Sequence, residues 1–358
     1  MKVQQCVQAL AGFIGVLVLP STGLVAQPSK TASPQLVWKS ESMFSGVGSA
    51  RLFGDGSMII ADAGAREVYW LKPGDTAQKL GRTGAGPGEY QGPESVQYFP
   101  NGSALIVDTR LRRFSVLDSL GAFKRSIPFP PGTSGLTGRV SGDRAGHIWF
   151  LGTPASPLGP QQVALLRLDV ANGRIDSLGV VAGTLLADVS APPPGGLRSP
   201  QQRLSFMVVP YASKDGFASL SQNDAVILRG ASKQLQWIDS AGRVVRSRGL
   251  PQPIEVEIPD AALNRVRPAT LRKLVPERQL GYDVDLLVSA QNGDLWLPRV
   301  MPRDTTRTQW IVLPSQGNER TVTLPSRARL LAVQGSLMVV AERDDDDVEL
   351  IAAYRLPK

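Results

Sequence analysis

At 358 residues the chain is longer than most single domains, yet within reach of one large all-β fold. Its 36 Gly and 28 Pro, with only 20% charged residues, argue against long helices and a disordered tail and point to short strands joined by many turns. The net charge of +8 comes mostly from single arginines scattered through the chain, which argues against a nucleic-acid partner and suits anionic surfaces, glycans or acidic small molecules.

Residues 1–26 read as a secretory signal. Lys2 supplies the positive start, an apolar run extends to Leu19, and small residues near Ala26 offer a cleavage site. The apolar run is too short for a membrane span, so the expected mature protein, residues 27–358, is periplasmic or secreted and carries no span. Cys6 is the only cysteine, and it would leave with the signal, so the mature chain is expected to hold no disulfide and to depend on packing alone.

A repeat organises the mature chain. In residues 81–118 a Gly- and Pro-rich connector (GRTGAGPGEY) leads to a short apolar run, a Pro-Asn-Gly turn, a run ending in Asp108, and a further strand before a polar turn. Aligning the turn residue along the chain picks out Gly56, Gly102, Gly146, Asn223, Gly293 and Gly335. The intervals are 46, 44, 77, 70 and 42 residues, so three match a propeller blade and two carry insertions. One insertion is the Pro/Gly-rich segment 191–210. The other, about 252–281, holds the one helical pattern, with Asp260 placed to cap a first helix and a second expected over 270–275.

The strand after each turn should be sandwiched between neighbouring blades and therefore apolar on both faces. Three positions past the turn stand Ile59, Leu105, Trp149, Val226, Trp296 and Met338; at the fourth stand Ile60, Ile106, Phe150, Ile227, Leu297 and Val339. All twelve are expected in the core. Too little chain remains after Tyr354 for a last strand, so residues 36–40 (LVWKS) are expected to pair with 349–354 and close the ring.

The connector, turn and terminal-Asp pattern resembles NHL-type repeats, most completely over residues 45–127. The resemblance implies an exported, six-bladed β-propeller of four-stranded antiparallel blades, closed by the N-terminal strand and bearing one short helical insertion. It is compatible with two function classes: a binding or scaffold module that recognises a small anionic ligand, a glycan or a protein partner at the channel mouth, or a metal-dependent lactonase- or lyase-like propeller enzyme.

No catalytic residues are assigned. The single histidine, His147, falls one residue past a turn, where the other repeats carry Ser or Asp. The connector lacks the spacing of a phosphate loop, and residues 344–347 (DDDD) lack that of a calcium loop, so no cofactor or metal is expected. The residues that end the second strands are the expected ligand-binding set. Asp62, Asp108, Arg229 and Arg299 reach one face, where the arginines suit a carboxylate and the aspartates suit ligand hydroxyls. For the enzyme class, Asp62, Asp108 and Glu342 are the carboxylates that could converge on a divalent ion. A monomer is expected.

Overall fold

The structure, a computed structural model, describes residues 31–133, 136, 139–154, 159–190, 206–220, 224–300, 307–325 and 327–357. The expected signal segment with Cys6, the turn residue Asn223 and most of the 191–210 insertion lie outside the described residues. The chain forms six antiparallel blades around a central axis. Taken from the axis outward, the first two blades are Val47–Leu52, Met58–Asp62, Glu67–Leu71 and Gln78–Leu80, then Pro93–Tyr98, Ala104–Asp108, Arg113–Leu117 and Phe123–Pro128. Blade three runs Val140–Gly142, His147–Leu151, Gly159–Asp169 and Ile175–Asp188, with Phe206–Val208 as a fifth, outer strand. Blade four is Gly216–Ser219, Ala225–Arg229, Gln234–Ile238 and Val244–Gly249. Blade five is Val288–Ser289, Leu295–Pro298, Arg307–Leu313 and Arg320–Pro325, and blade six is Ala328–Gln334, Leu337–Arg343 and Glu349–Arg355 before closure.

The twelve residues expected in the core are all 2% exposed or less. Their alternation explains why the second strands carry no polar face. Ile59 packs with Ile106 of blade two, whereas Ile60 packs with Val339 of blade six. Trp149 joins Ile227 of blade four, and Phe150 joins Leu105 of blade two. Each such side chain contributes roughly 1.5–3 kcal/mol by leaving water. In blade six the order reverses, since Met338 faces blade five and Val339 faces blade one. The register there is one residue later than the turn alignment gives, and Glu342 occupies the place of Asp62 and Asp108.

Closure is by Gln35–Phe44, which pairs antiparallel with Glu349–Arg355, from Gln35 opposite Arg355 to Phe44 opposite Glu349. The strand is longer than residues 36–40. Just before it, Thr31–Ala32 adds a parallel strand to Arg320–Pro325, so the N-terminal segment joins blades five and six.

The helical insertion holds two one-turn helices, Asp260–Leu263 and Ala269–Arg272. Their N-caps are Pro259 and Pro268, so Asp260 is the first helical residue rather than the cap, and the second helix starts one residue early and ends before Lys273. Proline at these boundaries has the extended backbone that a cap needs, which leaves Asp260 to act on the helix only as a first-turn anion. Glu255–Glu257 and Arg278–Leu280 pair as a ribbon at its base. Val266 and Leu271 pack on Val209 and the extended hairpin of blade three, so the two insertions share a small core of their own. No described helix is long and apolar enough to cross a membrane.

Candidate functional site

The innermost strands alternate at the axis. In Ser49-Ala50-Arg51 and Ser95-Val96-Gln97 the central residue faces an apolar core, and the polar residues on either side line the channel. These polar side chains stitch one blade to the next. Ser49 Oγ accepts from Val96 N at 2.7 Å, Gln97 Oε1 accepts from Gly142 N at 2.8 Å, and Ser141 Oγ lies 2.8 Å from Ser219 Oγ. Ser289 Oγ then donates to Ser219 O at 2.6 Å. Held this way, the walls enclose an axial cavity of about 370 Å³.

Blade four is screened from that cavity. A single 3-10 turn, Val284–Leu286, crosses the end of its inner strand at Gly216, where a Cβ would sit 2.3 Å from Val284 O. Arg139 pins the turn by donating from Nη1 to Val284 O at 3.0 Å and from Nη2 to Leu287 O at 2.6 Å. Burial pushes the Arg139 guanidinium down to about 10, against the pull of Asp285 and Asp283. Arg329 also lines the cavity and is lowered by burial; it donates to the carbonyls of Val47 and Gly48 and lies 3.6 Å from Glu349 Oε2.

The other end, at the turns between first and second strands, opens into a mouth of about 340 Å³. Arg51 and Tyr98 line both spaces. Arg51 is 5% exposed and lies between the rings of Phe53 and Tyr98, with its guanidinium carbon 4.8 and 4.6 Å from their centroids. Its Nη2 donates to Gly102 O at 2.9 Å, while Nε and Nη1 have no partner. Burial lowers this guanidinium to about 10, helped by nearby Arg144 and opposed by Tyr98. Gln291 Nε2 donates to Tyr98 Oη at 3.0 Å.

The four residues proposed from sequence lie at the opposite end from this mouth and do not share a cavity. Asp62 and Asp108 are 1% and 0% exposed. Asp62 accepts from Ser45 N, Gly46 N and Ala65 N at 2.9 to 3.0 Å, and Asp108 repeats the pattern with Gln91 N, Gly92 N and Leu111 N at 2.9 to 3.1 Å. Each carboxylate ties the connector entering its blade to the turn after its second strand. Arg229 bonds Gln236 Oε1, Val180 O and Asp215 Oδ2, the last at 2.9 Å. Asp215 in turn accepts from Gly230 N and Ala182 N, both at 2.9 Å, so an acid from the connector replaces the missing strand-end acid of that blade. Arg299 bonds Gln252 O at the base of the helical insertion and lines a separate cleft between blades five and six.

Glu342 accepts from Tyr354 Oη and from Lys39 Nζ, the latter at 2.7 Å. It does not meet Asp62 or Asp108, and among the described residues no three His, Cys, Asp or Glu side chains are placed to hold a metal ion. The donor set of the enzyme reading therefore does not assemble. His147 is fixed in its turn, with Nδ1 3.0 Å from Asp143 Oδ2; Asp143 also accepts from Trp149 Nε1 at 3.0 Å.

No family model matches the chain, and no curated protein matches it. Solved structures of similar fold include a gluconolactonase from Xanthomonas campestris, at 12% identity and TM-score 0.44 over 93% of this chain and 99% of that one. A calcium-binding regucalcin from Agrobacterium tumefaciens aligns at 11% identity and TM-score 0.44 over 92% and 97% of the two chains. Virginiamycin B lyase from Staphylococcus aureus, in complex with quinupristin, aligns at 13% identity and TM-score 0.41 over 87% and 80%. Likeness at this level concerns the path of the chain and carries no chemistry across.

Proposed function

We propose that the chain is an exported, NHL-like propeller that serves as a binding module, with the central channel as its ligand site. The observation that carries this reading is the axial cavity of about 370 Å³, whose polar side chains are already fixed by bonds between blades. Groups held in place before a ligand arrives lose little entropy when it binds. Asp62 and Asp108 are loop latches in this reading, Arg229 braces the connector into blade four through Asp215, and Arg299 holds the base of the helical insertion rather than a ligand.

The reading is tested by a thermal-shift screen of the mature protein against organic acids, sugars and peptides, then by calorimetry on each hit. A ligand at 100 times its Kd adds about 2.7 kcal/mol to stability. One molecule should bind per chain, and Gln97→Trp, which fills the cavity, should abolish binding while the circular dichroism spectrum stays native. Binding that survives Gln97→Trp would move the site off the axis. A divalent ion recovered in stoichiometric amount, together with lactone hydrolysis, would replace binding by catalysis.

A further inference from the structure

We propose that the turn-end mouth of the channel is a carboxylate site, built on Arg51 and Arg144, for a small molecule whose acid group is carried on an apolar ring. This rests on the reading of the channel as the ligand site and names the ligand class. Two guanidinium groups line the mouth, and no Asp or Glu does; among the described residues neither arginine forms an ion pair. Burying a guanidinium without an anion is costly, and the usual remedy, a neighbouring carboxylate, is not supplied by this wall.

Only Nη2 of Arg51 is used inside the protein, on Gly102 O, which fixes the plane of the group and leaves Nε and Nη1 with hydrogens and no acceptor. Phe53 and Tyr98 pack against the group, with its carbon 4.8 and 4.6 Å from their ring centroids, and so hold it in the mouth. Arg144 sits 5.9 Å from the same Tyr98 ring on an exposed turn, where it can approach an anion without losing an existing bond. Gln291 occupies Tyr98 Oη as a donor, so the phenol hydrogen is free to point elsewhere.

Phe53, Tyr98, Phe99 and Pro100 give the mouth apolar walls. A free inorganic anion would leave these walls wet, whereas a ring bearing one carboxylate uses both the donors and the rings. A monoanion is also cheaper to strip of water than a doubly charged phosphate. The step is binding alone; no bond is made or broken.

The test uses the mature protein with benzoate, phenylacetate and cyclohexanecarboxylate, their three primary amides, and sulfate, by calorimetry at pH 7 and two salt concentrations. At least one acid should bind, at least tenfold tighter than its amide. Arg51→Gln should reduce that binding at least tenfold, and Arg144→Gln several-fold with a weaker salt dependence. Since Arg51→Gln touches a buried position, Arg144→Gln on the exposed turn serves as the variant that keeps the fold.

Acids and amides binding alike, sulfate outcompeting the ring acids, or acids binding equally well to the wild type and both arginine variants would each overturn the proposal. Failure of every acid in the panel would do the same. If Gln97→Trp still loses a neutral hit from the wider screen, the channel reading stands and only the carboxylate assignment falls.

Discussion

Replacing Asp108 separates the two roles that a strand-end carboxylate could have. The side chain is fully buried and accepts three backbone N–H bonds, with Oδ1 serving Gly92 and Leu111 and Oδ2 serving Gln91. A buried donor deprived of its acceptor costs about 1–3 kcal/mol. Asp108→Ala strands three of them at once. Water can reach the Gln91 side, so we expect a loss of about 4 kcal/mol, in the lower half of the range that three lost acceptors imply. Asp108→Asn keeps one oxygen and turns an amide against a donor, and should cost about 2 kcal/mol by the same reasoning. Urea unfolding monitored by tryptophan fluorescence measures both, and calorimetry with a channel ligand gives the affinity of each folded variant. Stability should fall in the order wild type, Asn, Ala, with affinity unchanged. A midpoint shift worth less than about 0.5 kcal/mol for Asp108→Ala, accompanied by lost binding, would show that the carboxylate belongs to a ligand site.

Trp149→Ala and Trp296→Ala should each cost about 3–5 kcal/mol in the same assay, because both indoles fill equivalent places between blades; a surface-like cost at either would refute the blade packing. A chain shortened to begin at Ser45 loses the closing strand and should melt earlier and self-associate through the bare edge of Glu349–Arg355, seen by light scattering. A monomer with unchanged melting would remove closure from the account. Burial pushes the Tyr90 phenol up to about 12, so the folded state favours its protonated form. That stability is fully present below pH ~10, where the unfolded phenol is also neutral, and is lost as pH rises toward ~12. Urea midpoints from pH 9 to 11.5 should therefore fall more steeply for the wild type than for Tyr90→Phe, and parallel curves would refute the assignment.

The blades are legible in the sequence because their second strands obey a rule that leaves no polar face. Ile59 and Ile60 look into two different interblade cores, and the same doubling recurs at every turn. Blade six falls one residue out of the turn alignment because its turn is tighter: Gln334 pairs directly with Leu337 across Gly335 and Ser336, whereas in blade one the pairing resumes only between Leu52 and Met58. That slip is the size of a single turn residue, which spacing alone does not resolve.

The channel mouth is hidden for a different reason. Charges at the ends of apolar strands are the conspicuous signal along the chain, whereas in this fold such an acid answers to the connector's backbone, as Asp62 does with Ser45 and Gly46. The better signal lies in the first strands. Ser49-Ala50-Arg51, Ser95-Val96-Gln97 and Arg139-Val140-Ser141 repeat a polar, apolar, polar alternation at matching positions, which marks strands with one face on a core and the other on water. Tyr98, Arg144 and Gln291 come from three blades, and no pattern along the chain announces that they meet.

The N-terminal strand has a temporal consequence. Ser40 Oγ accepts from Ile351 N across 311 residues, so among the first parts of the body to be synthesised is one that must wait for almost the last. Bringing such distant segments together costs on the order of 5 kcal/mol of loop entropy. Five blades can assemble as they appear, but the sixth holds one seam of the ring open until its closing strand finds Glu349–Arg355.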